Sequence, residues 1–250
     1  MKTGILLSVR EKATRLPGKV LLPLGDYNVT EHLLYRLQGS KYSDEVVLST
    51  SIDPRDDVLV KIAKKLGINY FQGSRDDKLV RYRDTAKHFD LDFLIVVDGD
   101  DPFVSINHID NIILYAKDNN VDYVLYTGLP IGATGFGVRK ISLERMCDEK
   151  RDLNTEVWGH FFTENNNYKC KLLEEHCLRY NRTDIRMTLD YPEDYKFFQN
   201  VMAGLRNQKK EPTFSNIIDY LNDHPEVVKI NSELESVYEE HLKSSMLNQN

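Results

Sequence analysis

The chain has 250 residues, a formal net charge of −6, and 29% charged and 41% hydrophobic side chains. That size and balance fit one large α/β domain with a full core, and the acidic balance excludes a general nucleic-acid binder. No apolar run approaches the ~18 residues of a membrane span, and the opening Met1-Lys2-Thr3-Gly4-Ile5 lacks a signal peptide's apolar core.

Gly4-Ile5-Leu6-Leu7-Ser8-Val9 is a run typical of a strand buried on both faces. It leads into a loop carrying Arg10, Lys12, Arg15 and Lys19, closed by Leu16-Pro17-Gly18. In a parallel α/β sheet, ligands bind where loops leave the carboxyl ends of strands. Arginine matches phosphate oxygens with a planar fork and lysine adds a point charge. The loop therefore reads as a grip for a polyphosphate, with a solvated basic turn as the competing reading. Gly18 is expected to let the backbone approach closely, and Pro17 to fix the turn. Neither GxxxxGK[ST] nor GxGxxG is present, so a P-loop or dinucleotide fold is not indicated.

Thr30 is placed to cap a helix through Leu33, Leu34 and Leu37, ending near Gly39. Residues 45–50 read as a second strand, 56–66 as an amphipathic helix closed by Gly67, 69–71 as a third strand and 76–89 as the next helix. Residues 93–97 form the candidate central strand, followed by a helix over 106–119 and a strand over 122–126. These repeated βα units imply a mostly parallel, doubly wound sheet covered on both faces. From Gly128 the rhythm changes. Gly128, Gly132, Gly135 and Gly137, beside Pro130, read as a flexible loop able to close over a ligand. Helices are predicted over 142–151 and 156–163, and 164–190 as extended strands returning to the sheet, including 170–173 and 186–189. Pro192 opens a helix with Glu193 and Asp194 at the positive end of its dipole. Lys209-Lys210-Glu211-Pro212 marks a boundary between a main domain, 1–212, and a helical tail, 213–250, split at His224-Pro225.

The second chemical signal follows the central strand, at Val97-Asp98-Gly99-Asp100-Asp101-Pro102. Carboxylates at a strand's carboxyl end offer hard oxygens suited to Mg²⁺, which binds one or two carboxylates together with substrate phosphates. A helix-capping turn is the alternative, and Asp-Gly-Asp also fits the DxD of nucleotide-sugar glycosyltransferases. Asp190, before Tyr191-Pro192-Glu193-Asp194, either completes a two-carboxylate metal site or caps the next helix. Taken together, a basic loop and an acidic pair suit a triphosphate held as its metal complex.

These residues bring the chain to a known family. The stretch from Arg10 through Lys19 and on to Leu24 resembles the opening of cytidylyltransferases that activate acidic sugars, among them the 3-deoxy-manno-octulosonate and acylneuraminate enzymes and most closely the spore-coat polysaccharide type, with its R-x-x-S-T-R-L-P-G-K-x-L-x-P-L. Gly73-Ser74-Arg75-Asp76-Asp77-Lys78-Leu79-Val80-Arg81-Tyr82 resembles the G-S-x-D-D-x-L-x-R-Y element of that type. Residues 98–102 resemble its G-D-x-P turn and residues 189–194 its D-x-P-E-D close. Ala13 stands where the family usually has Ser, and Asp26-Tyr27-Asn28 where it often reads G-K-P.

The resemblance implies a nucleotide-diphospho-sugar transferase-like fold of the GT-A type, with a smaller β-containing insertion over about 128–185 for acceptor binding and dimerisation. It implies transfer of CMP from CTP to an acidic sugar or related metabolite, with Mg²⁺ and release of pyrophosphate, for surface polysaccharide or glycoconjugate synthesis. Arg10, Arg15 and Lys19 match positions that hold the triphosphate, and Asp100 and Asp190 match the metal carboxylates. Ser8, Arg81 and Asp98 are further candidates for contacting nucleotide; Arg81 could instead serve a neighbouring helix.

For the acceptor, the candidates are Arg139, Glu156, His160, Arg179 and Arg182, with Trp158 and His160 beside Glu156 as a group; surface ion pairs are the competing reading for the charged ones. Tyr123 and Tyr126 are expected at the core or rim. A glycosyltransferase using Asp98-Gly99-Asp100, a cytidylyltransferase acting on a phosphonate or phosphorylated acceptor, and a degenerate nucleotide-binding scaffold are the alternatives. Expected partners are CTP and a small acidic acceptor in a homodimer, with neither nucleic acid nor membrane. Cys147, Cys170 and Cys177 lack CxxC spacing and are expected to be reduced thiols of a cytoplasmic protein.

Overall fold

The computed structural model describes residues 1–234. In chain order, β1 (Thr3–Ser8) is followed by a small hairpin of β2 (Pro23–Leu24) and β3 (Tyr27–Asn28), then α1 (Val29–Leu37), β4 (Glu45–Ser51) and α2 (Asp57–Leu66). Next come β5 (Asn69–Gly73), α3 (Lys78–His88), β6 (Phe93–Asp98), α4 (Ile106–Asp118), β7 (Tyr123–Thr127), β8 (Phe136–Arg139) and α5 (Lys140–Glu149). The chain continues through α6 (His160–Thr163), β9 (Cys170–Glu174), α7 (Pro192–Asn207), α8 (Phe214–Asp223) and α9 (Pro225–Val228). Of the tail expected over 213–250, residues 235–250 lie outside the described residues.

Seven strands form one sheet in the order β5-β4-β1-β6-β8-β7-β9. All neighbours pair in parallel except β8, which runs antiparallel to both β6 and β7. This is the mostly parallel α/β sheet that the alternating pattern predicts. Successive residues of β1 and β6 point to opposite faces. Ile5, Leu7, Ile95 and Val97 pack under α1, α2, α4, α7 and α8, while Leu6, Leu94 and Val96 pack under α3 and α5 with Tyr82, Trp158 and Phe162.

The register places the site. Ser8, the last residue of β1, lies opposite Ser49 on one side and Asp98 on the other. The loops after β1 and β6 therefore leave the sheet side by side.

Several local expectations are corrected. α1 is capped by Asn28, not Thr30: the Asn28 side chain accepts from Glu31 N at 2.9 Å, and the Glu31 carboxylate accepts from Asn28 N at 3.2 Å, a reciprocal capping box. Thr30 turns inward and donates to the Val20 carbonyl at 2.8 Å. α3 begins two residues later than expected because Asp77 caps it, accepting from Val80 N at 3.1 Å. Gly137, read as the end of a flexible loop, lies instead in a strand over 136–139 held from both sides. Residues 156–159 are not helical, so α6 is a single turn. Residues 186–189 are extended but outside the sheet, because their backbone groups bond to loops; Met187 N donates to the Ile131 carbonyl at 2.8 Å. All three cysteines are free thiols.

Candidate active site

The basic loop leaves β1 and folds back across the carboxyl ends of the strands. Gly18 has φ 68° and open space where a Cβ would stand, so its backbone conformation, not the close approach expected, requires glycine there. The turn delivers Lys19 between two carboxylates. Its ammonium donates to Asp100 Oδ2 at 2.5 Å and to Asp190 Oδ1 at 2.8 Å. Burial pulls the Lys19 ammonium down, but the two acids outweigh it and hold the group above its ordinary value. Arg15 donates to Asp190 Oδ1 at 3.2 Å and stacks its guanidinium 5.1 Å from the centre of the Tyr191 ring. Arg10 donates to the Arg75 carbonyl at 2.7 Å and pairs with Glu156.

The acidic turn meets this loop from β6. Asp190 arrives beside it because Leu189 N donates to the Asp100 carbonyl at 2.7 Å. The 185–190 segment can lie this close because residue 132 is glycine. At φ 77°, a Cβ there would stand 2.5 Å from the Met187 carbonyl oxygen and 2.7 Å from Asp101 Oδ1. The three aspartates of the turn differ in charge environment. Burial raises Asp100, but Lys19 overrides this and holds its carboxyl below the ordinary value. Burial raises Asp98, partly opposed by Lys78. Asp101 is pushed well above the carboxylate range by burial and by the charges of Asp100 and Asp98.

A cleft of 1060 Å³ joins these groups to the insertion. It is lined by Arg10, Arg15, Lys19, Asp100 and Asp190 from the expected grip, and by Ser8, Arg81, Asp98, Glu156 and His160. Ser8 and Arg81 form part of its floor: Ser8 Oγ is 2.7 Å from Tyr82 Oη and accepts from Arg81 at 3.2 Å. Arg81 is fully buried, and burial lowers its guanidinium from the ordinary value. His160 Nδ1 is buried and has no hydrogen-bond partner among the described residues. Tyr123 is core and Tyr126 half-buried at the rim, as expected.

Three candidates fall away from the cleft. Arg139 pairs in register with Phe93, at the start of β6 and so at the opposite end of the sheet from Asp98. Its guanidinium donates to the carbonyls of Val121 at 2.8 Å and Asn119 at 3.2 Å, tying down a turn. Arg179 and Arg182 pair with side chains of α8, Asp219 and Asn222, and with Asp184. The sequence reading missed Lys78. Its ammonium lies 3.4 Å from Asp98 and 3.1 Å from Glu156, joining the end of β6 to the insertion. The signal was its spacing: Lys78 and Arg81 are three apart in a helix and share a face.

Among the described residues, no group of three His, Cys, Asp or Glu forms a metal cage. Asp100 and Asp190 nevertheless converge, from two separate segments, on one cationic atom, the Lys19 ammonium. Two hard-oxygen donors open to a cleft fit an ion that takes its remaining ligands from phosphate and water.

A family model described as cytidylyltransferase matches residues 5–240, which includes α8 and α9. The chain is 31% identical over 236 residues to an uncharacterised protein of Methanocaldococcus jannaschii, covering 93% of this chain and 95% of that one. It is 27% identical to the spore coat polysaccharide biosynthesis protein SpsF of Bacillus subtilis, covering 88% and 94%. Its structure is similar to that of a cytidylyltransferase from Leptospira borgpetersenii, with TM-score 0.82, 26% identity and coverage of 91% and 97%. In fold alone it matches a CMP:2-keto-3-deoxy-manno-octonic acid synthetase complexed with CTP, with TM-score 0.64, 14% identity and coverage of 81% and 99%. The chain belongs to the cytidylyltransferase family and is a CTP-dependent nucleotidyltransferase.

Proposed function

We propose that the protein transfers CMP from CTP to a small acidic sugar or related acidic metabolite, for synthesis of a surface polysaccharide or glycoconjugate in the cytoplasm. The observation that carries this reading is Lys19 held between Asp100 and Asp190, with Arg15 on Asp190 and Arg10 lining the same cleft. Similarity to a spore coat polysaccharide protein supports the role in surface carbohydrate. A matching fold in an enzyme for an acidic octulosonate supports the class of acceptor. No helix among the described residues is long and apolar enough to cross a membrane.

The acceptor oxygen attacks the α-phosphorus in line, the bond from that phosphorus to the α,β-bridging oxygen breaks, pyrophosphate leaves, and the acceptor proton passes to solvent. Catalysis is positioning and charge neutralisation. Arg10, Arg15 and Lys19 bind the phosphates, with Lys19 exchanging its carboxylate partners for phosphate oxygens as the nucleotide enters. Asp100 and Asp190 would hold Mg²⁺, which when bound neutralises charge on the α-phosphate. Ser8, Arg81 and Asp98 shape the nucleoside end. Glu156 and His160, against the wall of Tyr123, Phe136 and Trp158, face the acceptor. A homodimer in which the insertion of one subunit covers the other's cleft completes the proposal, and light scattering decides it.

The test crosses the common nucleoside triphosphates with a panel of sugar acids, phosphonates and sugar phosphates, with and without Mg²⁺. Metal-dependent pyrophosphate release with CTP and a sugar acid is expected. Release of a nucleoside diphosphate from a nucleotide sugar, as a DxD glycosyltransferase would give, overturns the proposal.

A further inference from the structure

Behind Asp190 runs a buried chain of polar groups that the mechanism above does not use. Asp190 turns Oδ1 toward Lys19 and Arg15, while its Oδ2 accepts from the Arg186 guanidinium at 3.3 Å. Arg186 is 2% exposed and donates from Nε to Asp194 Oδ1 at 3.0 Å. Asp194 has no exposed surface and holds the backbone itself: its Oδ2 accepts from the N–H groups of Asp190 and Tyr191, each at 2.9 Å. Another member comes from beyond α9. Asn231 donates from Nδ2 to Asp194 Oδ1 at 2.8 Å and to the Arg186 carbonyl at 3.2 Å.

Both partners of Asn231 Nδ2 are acceptors, which fixes the orientation of the amide. Its Oδ1 is buried and has no hydrogen-bond partner among the described residues. An unpaired buried carbonyl is unfavourable, so a position that served packing alone would be better filled by an apolar side chain. The amide is there to donate. A carboxylate with one oxygen clamped and its backbone N–H tied presents the other oxygen in a single direction, which is how outer partners tune a metal ligand.

We propose that Asn231 is a positioning residue for cytidylyl transfer: through Asp194 and Arg186 it aims Asp190 Oδ1 into the cleft that receives the divalent cation and triphosphate. The inference rests on Asp190 being a metal carboxylate, as read under Proposed function. It gives Asn231, which lies beyond α9 and outside the lining of the cleft, a part in the site.

The test uses the full chain with Asn231→Ala and the isosteric Asn231→Asp. Asp190→Asn serves as reference, and Val228→Ala as a control that loosens α9 without touching Asp194. Mn²⁺ binding in the presence of CTP, without acceptor, is read by electron paramagnetic resonance, alongside melting temperature. Asn231→Ala is expected to weaken Mn²⁺ by about tenfold, at the low end for outer-shell partners because it acts through Asp194. Asn231→Asp is expected to weaken it further, since a second carboxylate then faces Asp194. Val228→Ala is expected to lower the melting temperature with Mn²⁺ affinity unchanged. Wild-type affinity in both Asn231 variants, or an equal loss in Val228→Ala, overturns the positioning role. Undiminished binding in Asp190→Asn overturns the metal assignment instead.

Discussion

From β5 to β6 the strands run parallel and α1, α2 and α3 lie in the connections, whereas beyond β6 the sheet continues through a reversed strand, β8, and ends on the exposed rim strand β9. The first half draws its order from local pattern: continuous apolar strands, capped helices and short turns. The second is held by distant pairings, with β8 gripped between β6 and β7 and residues 185–189 bonded to Ile131 and Asp100. The cleft opens along the seam. Its cations Arg10, Arg15, Lys19 and Lys78 and the Asp98–Asp100 turn come from the regular half, while Glu156, His160 and Asp190 come from the irregular one. On the reading proposed above, the regular half carries the nucleotide side of the cleft and the irregular half the acceptor side, so loops of the second half could change without disturbing the first.

The largest effect that tests this division is expected at the seam. Asp100→Ala removes one of the two carboxylates that meet at Lys19 and is expected to lower kcat/KM by about 10³-fold. Circular dichroism and the melting transition should stay close to wild type, because the side chain serves the cleft and not the core. Turnover within about tenfold of wild type would break the argument that the two halves meet in a cation and triphosphate site.

How much of this was legible follows the same division. The basic loop, the acidic turn and Asp190 each stand at the end of a strong apolar or extended run, so their placement at strand ends could be read directly. That they converge also required the register of Ser8 with Asp98, which no single segment contains. The strand at 136–139 is not legible because it is four residues long and contains Gly137, the last glycine of the loop reading; that residue is held by Ile95 and Val124 on either side. Residues 186–189 have strand composition, yet their partners are loop carbonyls, which composition does not reveal. Lys78 stands at a helix start, and Glu156, the partner that joins it to the insertion, is distant in sequence.

A second prediction belongs to the regular half alone. His32, on α1, is lowered from its ordinary value of 6.5 to about 4 by burial, and secondarily by the charge of Arg36. The unfolded chain therefore takes up this proton before the folded one does. Stability from the neutral ring is complete above the ordinary histidine value and is lost as pH falls from about 6.5 toward about 4, by about 3 kcal/mol. Urea unfolding at stepped pH should show this loss in wild type and a flatter profile in His32→Gln. Equal slopes in the two proteins would place the acid sensitivity elsewhere.

Glu156 tests how firmly the irregular half is joined to the regular one. It reaches from the insertion to both Arg10 and Lys78, and these cations hold its carboxyl below the ordinary value despite burial. Glu156→Gln keeps the shape and removes the charge, leaving Lys78 with Asp98 alone. A drop in kcat/KM of about tenfold is expected, carried mainly by KM for the acceptor. A change confined to KM for CTP would move Glu156 from the acceptor wall to the nucleotide grip.

Arg139 gives the smallest effect and the sharpest control, because sequence and structure disagree about it. The sequence places an arginine in the insertion, where an acidic acceptor should be read. The fold places it at the far end of β8, with its guanidinium on the Val121 and Asn119 carbonyls. Arg139→Ala should remove these hydrogen bonds at a loss of about 1 kcal/mol in stability. It should leave kcat/KM for CTP and acceptor within about twofold of wild type, since its guanidinium bonds lie at the far end of β8 from the cleft. A selective rise in acceptor KM would mean that the two ends of β8 are coupled, and that the irregular half transmits strain across the sheet in a way its loop-borne hydrogen bonds do not require.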